Sequence, residues 1–203
     1  MRQQIPHAIP YQGSKRKLAP IIARYLPDDI ETFYEPFCGS AAMTIYAAHH
    51  NLAEHFVIAD ALEPIVALLK SIVEEPSSVA DQYASTWCKQ TADNPRYYYE
   101  VRQRYNEQRD PVDLLYLVCR CVKNAVRFGK NGNFSQSVDK RRLGTRPEKM
   151  EKSILGVSAI LKGRSEFRVG DWRESCATAR KHDFVYLDPP YFGTVMATNE
   201  RDT

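Results

Sequence analysis

The chain has 203 residues, of which 43% are hydrophobic and 26% charged, and a net charge of +3. That length accommodates one core carrying an inserted lobe, and that balance excludes wholesale disorder. No apolar run approaches the roughly 20 residues that cross a bilayer, and Met-Arg-Gln-Gln-Ile-Pro at 1–6 has no apolar signal core, so the expected location is the cytoplasm.

Tyr11-Gln12-Gly13-Ser14-Lys15 opens the informative part of the chain and is followed by a strand over 32–35. Pro36-Phe37-Cys38-Gly39-Ser40 reads as a turn and 41–50 as an alanine-rich helix. A second buried strand over 56–59 ends at Asp60, and 64–73 carries Ile65, Leu68, Leu69 and Ile72 at helical spacing. This βαβα order predicts a parallel sheet with helices on its faces.

From residue 76 the pattern changes to helical periodicity rich in tyrosine, and 127–146 is polar, basic and punctuated by glycine. Residues 120–152 hold ten basic side chains against three acidic ones, a local charge of +7 and the footprint of a polyanion site. Tyr97, Tyr98, Tyr99 and Tyr105 at helical spacing are read as core. The sheet resumes over 167–169, with Gly170-Asp171 at its end, a short helix over 172–180 and a last strand over 184–187. Three regions follow: 1–75 and 166–203 for the sheet, and 76–165 for the inserted helical and basic lobe.

Asp188-Pro189-Pro190-Tyr191 stands where that last strand ends. Two prolines fix φ and leave the preceding carbonyls free to accept hydrogen bonds. A carboxylate, a free carbonyl and an aromatic together suit the amine and face of an extruded base. Ligands of doubly wound sheets bind beyond the carboxyl ends of the strands. Gly39 there allows close backbone approach, and Asp60, 21 positions later, stands where an acid takes ribose hydroxyls. The loop lacks the three-glycine pyrophosphate pattern, which disfavours a nicotinamide cofactor. S-adenosylmethionine fits better, because its sulfonium is best placed near acids, and Glu35, Asp60, Asp171 and Asp188 all fall at strand ends.

The five cysteines are scattered and read as reduced, buried thiols. Cys119-x-Cys121 lacks the spacer of a zinc knuckle and the histidines form no ligand pattern, so no metal is expected.

Tyr11-Gln12-Gly13-Ser14-Lys15, Glu35-Pro36-Phe37-Cys38-Gly39 and Asp188-Pro189-Pro190-Tyr191, in this order, resemble the motifs of the Dam-like DNA adenine-N6 methyltransferases. The resemblance implies a Rossmann-like S-adenosylmethionine-dependent sheet and site-specific methylation of adenine N6 in double-stranded DNA, in a restriction-modification or phage setting. It assigns Tyr11, Lys15, Glu35, Phe37, Gly39, Asp60, Asp171 and Asp188 to the cofactor. Lys15 would meet the cofactor carboxylate, Asp60 its ribose and Asp171 its adenine. Asp188, Pro189, Pro190 and Tyr191 would be catalytic. The segment through Arg127, Asn131, Asn133, Arg141 and Arg142 resembles the family's target-recognition hairpin and would contact DNA.

Thr203 lies twelve residues after Tyr191, whereas the family continues through further strands. The fourth strand is therefore expected at an exposed edge, in the amino-terminal part of a split enzyme, a truncated gene product or a partial sequence, which a complementing carboxyl-terminal polypeptide would complete. The alternative reading is a DNA-binding module without catalysis. Methylation of a protein or small-molecule amine is a third, which the basic lobe and the motif order disfavour.

Overall fold

A computed structural model describes residues 4–90 and 95–190 of the chain. An irregular strap over 4–14, a 3-10 turn (Lys15–Lys17) and a short helix, α1 (Ala19–Ile22), lead into the first strand, β1 (Ile30–Glu35). The chain continues through α2 (Ala42–His49), β2 (Ala53–Asp60) and α3 (Glu63–Glu74) before leaving the sheet. Four helices follow: α4 (Pro76–Cys88), α5 (Arg96–Gln108), α6 (Pro111–Arg120) and α7 (Pro147–Leu161). The sheet is completed by β3 (Ser165–Val169), the one-turn α8 (Trp172–Ser175) and β4 (Phe184–Val185).

Among the described residues the strands pair in the order β3-β2-β1-β4, all parallel. Phe33 pairs with Phe56 on one side and Phe184 on the other, so three rings form a row across adjacent strands. Phe33 is fully buried, and its centroid lies 6.4 Å from Phe56 and 5.8 Å from Phe184. Such pairs add roughly 0.5–1.5 kcal/mol each beyond area burial. The order reverses between β1 and β4, and in open parallel sheets that reversal opens a crevice at the carboxyl ends.

α2 is apolar almost all round and buries Met43, Ile45, Ala47 and Ala48, the pattern of a helix enclosed by protein. α3 buries one stripe, Ile65, Leu68, Leu69 and Ile72, as its periodicity predicts. In the lobe, residues 112–120 of α6 are all buried. The one acid among them, Asp113, is held by Arg104 Nε at 2.7 Å. A single hydrophobic cluster includes side chains of both sheet and lobe.

β1, β2 and β3 begin two or three residues before the expected positions, and three differences are larger. The helix expected over 172–180 stops at Ser175, and the last strand pairs as a strand only over Phe184–Val185, although Tyr186 N–H still donates to Tyr34 O at 2.8 Å. α7 was not read from the sequence at all. It packs on α2, α3 and α4, and Ser158 Oγ on it donates to the Val73 carbonyl at 2.6 Å. It also carries Gly156 mid-helix, a choice that costs roughly 0.5–1 kcal/mol relative to alanine.

Candidate active site

The residues that end β1 and β2 and the segment that follows β4 meet at one cavity of about 750 Å³, in the crevice where the strand order reverses. Glu35 ends β1, and its Oε2 accepts from Thr44 N–H at 2.8 Å and from Thr44 Oγ1 at 2.6 Å. It thereby caps the amino end of α2, where backbone donors lack intrahelical partners. Burial is the dominant influence on this carboxyl and pushes its pKa up to about 7, against the Thr44 hydrogen bonds; nearby Asp188 adds to the rise. Near neutral pH Glu35 is thus poised between its neutral and charged forms.

The loop after β1 turns sharply through Gly39 at φ +48°. A β-carbon there would stand 3.0 Å from the Tyr11 ring, so the absence of a side chain lets the strap close on the loop. Asp60, at the end of β2, fixes the same loop from the other side. Its Oδ2 accepts from Gly39 N–H at 3.0 Å and its Oδ1 from Leu62 N–H at 3.0 Å. Burial raises its pKa, and those backbone donors offset the rise. Burial, and then the charges of Asp60 and Cys38, likewise raise the Tyr11 phenol. Cys38 is buried with a strongly raised pKa, which removes it as a thiolate nucleophile at neutral pH.

Asp188, Pro189 and Pro190 also line the cavity. Asp188 Oδ2 accepts from Lys15 Nζ, in an ion pair whose side chains are about a quarter exposed. The structure thus brings Lys15 to the acid of the last motif, whereas the resemblance assigns it to a cofactor carboxylate. Tyr191 lies outside the described residues.

Of the residues assigned to the cofactor, Tyr11, Lys15, Glu35, Phe37, Gly39, Asp60 and Asp188 line this cavity. Asp171 does not. It follows β3, which pairs on the side of β2 away from β1, and it is not among the residues that line the cavity. There its Oδ1 caps α8 by accepting from Arg173 N–H at 2.8 Å.

The basic segment forms an irregular hairpin, closed by antiparallel bridges at Cys121–Val138 and Phe128–Phe134. Arg127 is the one expected DNA-contacting residue that reaches the cavity, flanked there by Val126 and Phe128. The other four make bonds within the lobe. Asn131 Oδ1 accepts from Asn133 N–H at 3.1 Å, and Asn133 Oδ1 accepts from Arg109 Nη2 at 2.9 Å. Arg141 forks onto Asp139 through Nε and Nη2, both at 2.9 Å, while its side chain stays 84% exposed. Arg142 donates to the Cys121 carbonyl at 2.7 Å and to Asn124 Oδ1 at 3.2 Å, tying the hairpin at its base.

One face of α5, unassigned by sequence reasoning, holds the returning arm. Tyr98 OH donates to the Gln136 carbonyl at 2.9 Å, and Arg102 Nη1 to the same oxygen at 3.2 Å. Asn106 Oδ1 accepts from Phe134 N–H at 2.8 Å, while Arg109 Nη1 donates to the Gly132 carbonyl at 2.8 Å. The polar spacing along one helical face was the available signal. Tyr98 and Tyr105 are core, as expected, whereas Tyr97 is half-buried and Tyr99 is exposed, because consecutive helical positions turn to different faces.

The cavity therefore combines the acids Glu35, Asp60 and Asp188, three aromatic side chains, Tyr11, Phe37 and Phe128, and a glycine turn. Its size matches a nucleoside-sized ligand, and its acids suit hydroxyls and a cationic group. Among the described residues no cluster of metal-ligating side chains occurs, and no helix is long and apolar enough to cross a membrane.

Over residues 11–202 the chain matches the family described as D12 class N6 adenine-specific DNA methyltransferase. It is 24% identical over 191 residues to the Type II methyltransferase M.FokI of Planomicrobium okeanokoites, covering 94% of this chain and 29% of that protein. Identity to the Type II methyltransferase M.CviBI of Paramecium bursaria Chlorella virus NC1A is 28% over 190 residues, covering 90% and 68%. To the DNA N-6-adenine-methyltransferase of Escherichia phage P1 it is 26% over 189 residues, covering 89% and 23%. The chain spans under a third of the first and last of these proteins.

Proposed function

We propose, because the chain belongs to the D12 class N6 adenine-specific DNA methyltransferase family, that it transfers a methyl group from S-adenosylmethionine to the N6 amine of adenine in double-stranded DNA. The observation that carries this reading is the convergence of Gly39, Asp60 and Asp188 on one cavity at the reversal of strand order.

The residues present fit the methyl donor. Asp60 would accept from the ribose hydroxyls, Tyr11 and Phe37 would supply apolar walls, and Glu35 would balance the cationic portion. When bound, S-adenosylmethionine supplies an electrophilic methyl carbon on a sulfonium.

An adenine amine is a poor nucleophile because its lone pair is delocalised into the ring. Asp188 and the Pro189 carbonyl accept its two hydrogens and draw the nitrogen toward tetrahedral geometry, which localises the lone pair. Asp188 would also accept the proton that the methylated, cationic amine must lose. The incoming amine competes with Lys15 for Asp188, so the ion pair guards the acid until a base arrives. Tyr191, by the resemblance, covers the face of the extruded base. Arg127, at the junction of hairpin and cavity, contacts DNA beside that base, and the exposed basic surface of the hairpin meets phosphates.

β4 pairs only with β1 among the described residues, and Leu187 beyond it is exposed. That edge supports a further part of the proposal: a strand from another polypeptide segment pairs there.

Nucleoside mass spectrometry of duplex DNA after incubation with the chain and S-adenosylmethionine tests the reading. N6-methyladenine is the expected product and is lost in Asp188→Ala. Undiminished product from Asp188→Ala, or methylation of a different base, would overturn it.

A further inference from the structure

Gly156 lies in the interior of α7, in helical backbone that an alanine would also adopt. A β-carbon at that position would come within 2.8 Å of Pro6 Cβ and 3.2 Å of Pro6 Cγ. Neither atom belongs to a flexible side-chain end. Both are ring atoms, and the ring fixes the backbone that carries them. The strap therefore crosses α7 over a bare Cα, and a methyl group there forces the strap away.

That strap leads directly to the active site. Ala8 and Ile9 are buried, and the Ile9 carbonyl is gripped by Arg16 Nη2. Pro6 and Pro10 bracket this stretch and stiffen it. Gln12 N–H donates to the Asn124 carbonyl at 3.1 Å, joining the strap to the base of the hairpin. Tyr11 packs on Gly39, Ser14 Oγ accepts from Ser40 Oγ at 3.1 Å, and Lys15 pairs with Asp188. These contacts lie within nine residues of the strap's crossing over Gly156. At an extended reach of about 3.3–3.6 Å per residue, Pro6 stands at most about 18 Å of chain from Tyr11.

We infer that Gly156 is a positioning residue for the methyl-donor pocket: the crossing of Pro6 over its bare Cα sets where the strap delivers Tyr11 and Lys15. The inference rests on the proposed function for the identity of the ligand, and on the packing alone for the coupling of α7 to the strap. It also gives a reason for a glycine in a helix that would otherwise favour alanine.

The test is a double-mutant cycle on the full chain with Gly156→Ala, Pro6→Gly and the pair. Two quantities are read: S-adenosylhomocysteine affinity by calorimetry, and amide exchange over residues 5–16. Gly156→Ala is expected to weaken S-adenosylhomocysteine about tenfold, as small misplacements of binding groups do, and to speed exchange over 5–16. Its melting temperature should fall by no more than a few degrees, the better helix propensity of alanine offsetting part of the displacement of the strap. In the Pro6→Gly background, where the clashing ring is gone, Gly156→Ala should cause no further loss. Wild-type affinity and wild-type exchange in Gly156→Ala would overturn the inference, as would a loss that persists undiminished without the Pro6 ring. If the unaltered chain binds no S-adenosylhomocysteine, the proposed function fails, and the exchange at 5–16 alone decides the role of Gly156.

Discussion

The rim of the sheet and the basic hairpin use polar side chains in opposite ways. At the rim, Glu35, Asp60 and Asp188 fix backbone or pair with Lys15 and still face a shared cavity. In the hairpin, Asn131, Asn133 and Arg142 are occupied by bonds that shape the hairpin itself, and only Arg127 among the expected residues reaches the cavity. Strand ends are aimed by the sheet, so the chemistry of a residue placed there can be read from its position. A hairpin must first hold its own shape, and residue type does not reveal which donors remain for a partner.

The sharpest way to break this comparison is at Asp188. Asp188→Ala should lower methyl transfer at least a thousandfold, the scale of losing a preorganised transition-state contact, while the melting temperature stays within a few degrees. A radiolabelled methyl-incorporation assay beside thermal unfolding checks both. If unfolding accompanies the loss, Asp188 belongs with the structural acids.

A smaller effect is expected at Gly39. Gly39→Ala adds a carbon 3.0 Å from Tyr11 and strains a left-handed residue, at about 1–2 kcal/mol for the conformation alone. S-adenosylhomocysteine affinity by calorimetry should fall roughly tenfold, with the DNA affinity of the hairpin unchanged.

Glu35 gives a pH signature. Its pKa is raised by burial from the ordinary 4.5 to about 7, so between those values the folded chain holds a proton that the unfolded chain has released. Stability should therefore fall as pH rises through that window, and Glu35→Gln should flatten the dependence. Binding of a cationic ligand favours the ionised carboxyl, so S-adenosylmethionine affinity should rise with pH through 7 in the wild type and not in Glu35→Gln. Chemical denaturation and calorimetry across pH 5–8 measure the two slopes.

The smallest effects are in the hairpin. Arg127→Ala should weaken duplex DNA binding by about 1–3 kcal/mol if Arg127 contacts a base edge. Arg141→Ala should cost less and mainly reduce the salt dependence, because its exposed guanidinium is already forked onto Asp139. Fluorescence anisotropy at two salt concentrations separates them. Equal losses would place both arginines on phosphates.

Much of the sheet was legible because buried parallel strands are short apolar runs that end in acids, and β1, β2 and α3 match that reading closely. The cavity was legible for the same reason. What escaped has physical causes. Asp171 satisfies the strand-end rule, yet a one-dimensional pattern does not say that β3 pairs on the far side of β2. α7 begins in a charged stretch and is interrupted by Gly156, whose use is visible only once Pro6 is seen above it. The clamp of Tyr98, Arg102, Asn106 and Arg109 looks like an ordinary solvated helix face until its backbone partners, 23 to 38 residues away, are known.

The central claim is that the crevice at the strand-order reversal, and not the hairpin, holds the methyl donor. Calorimetric titration of S-adenosylmethionine into the wild type and into Asp60→Ala tests it most directly. Asp60→Ala removes two charge-assisted backbone bonds, each worth about 1.5–3 kcal/mol, together with the proposed ribose acceptor. One binding site in the wild type, weakened about a hundredfold or more in Asp60→Ala, is the result expected. Equal affinity in the two proteins would contradict the account.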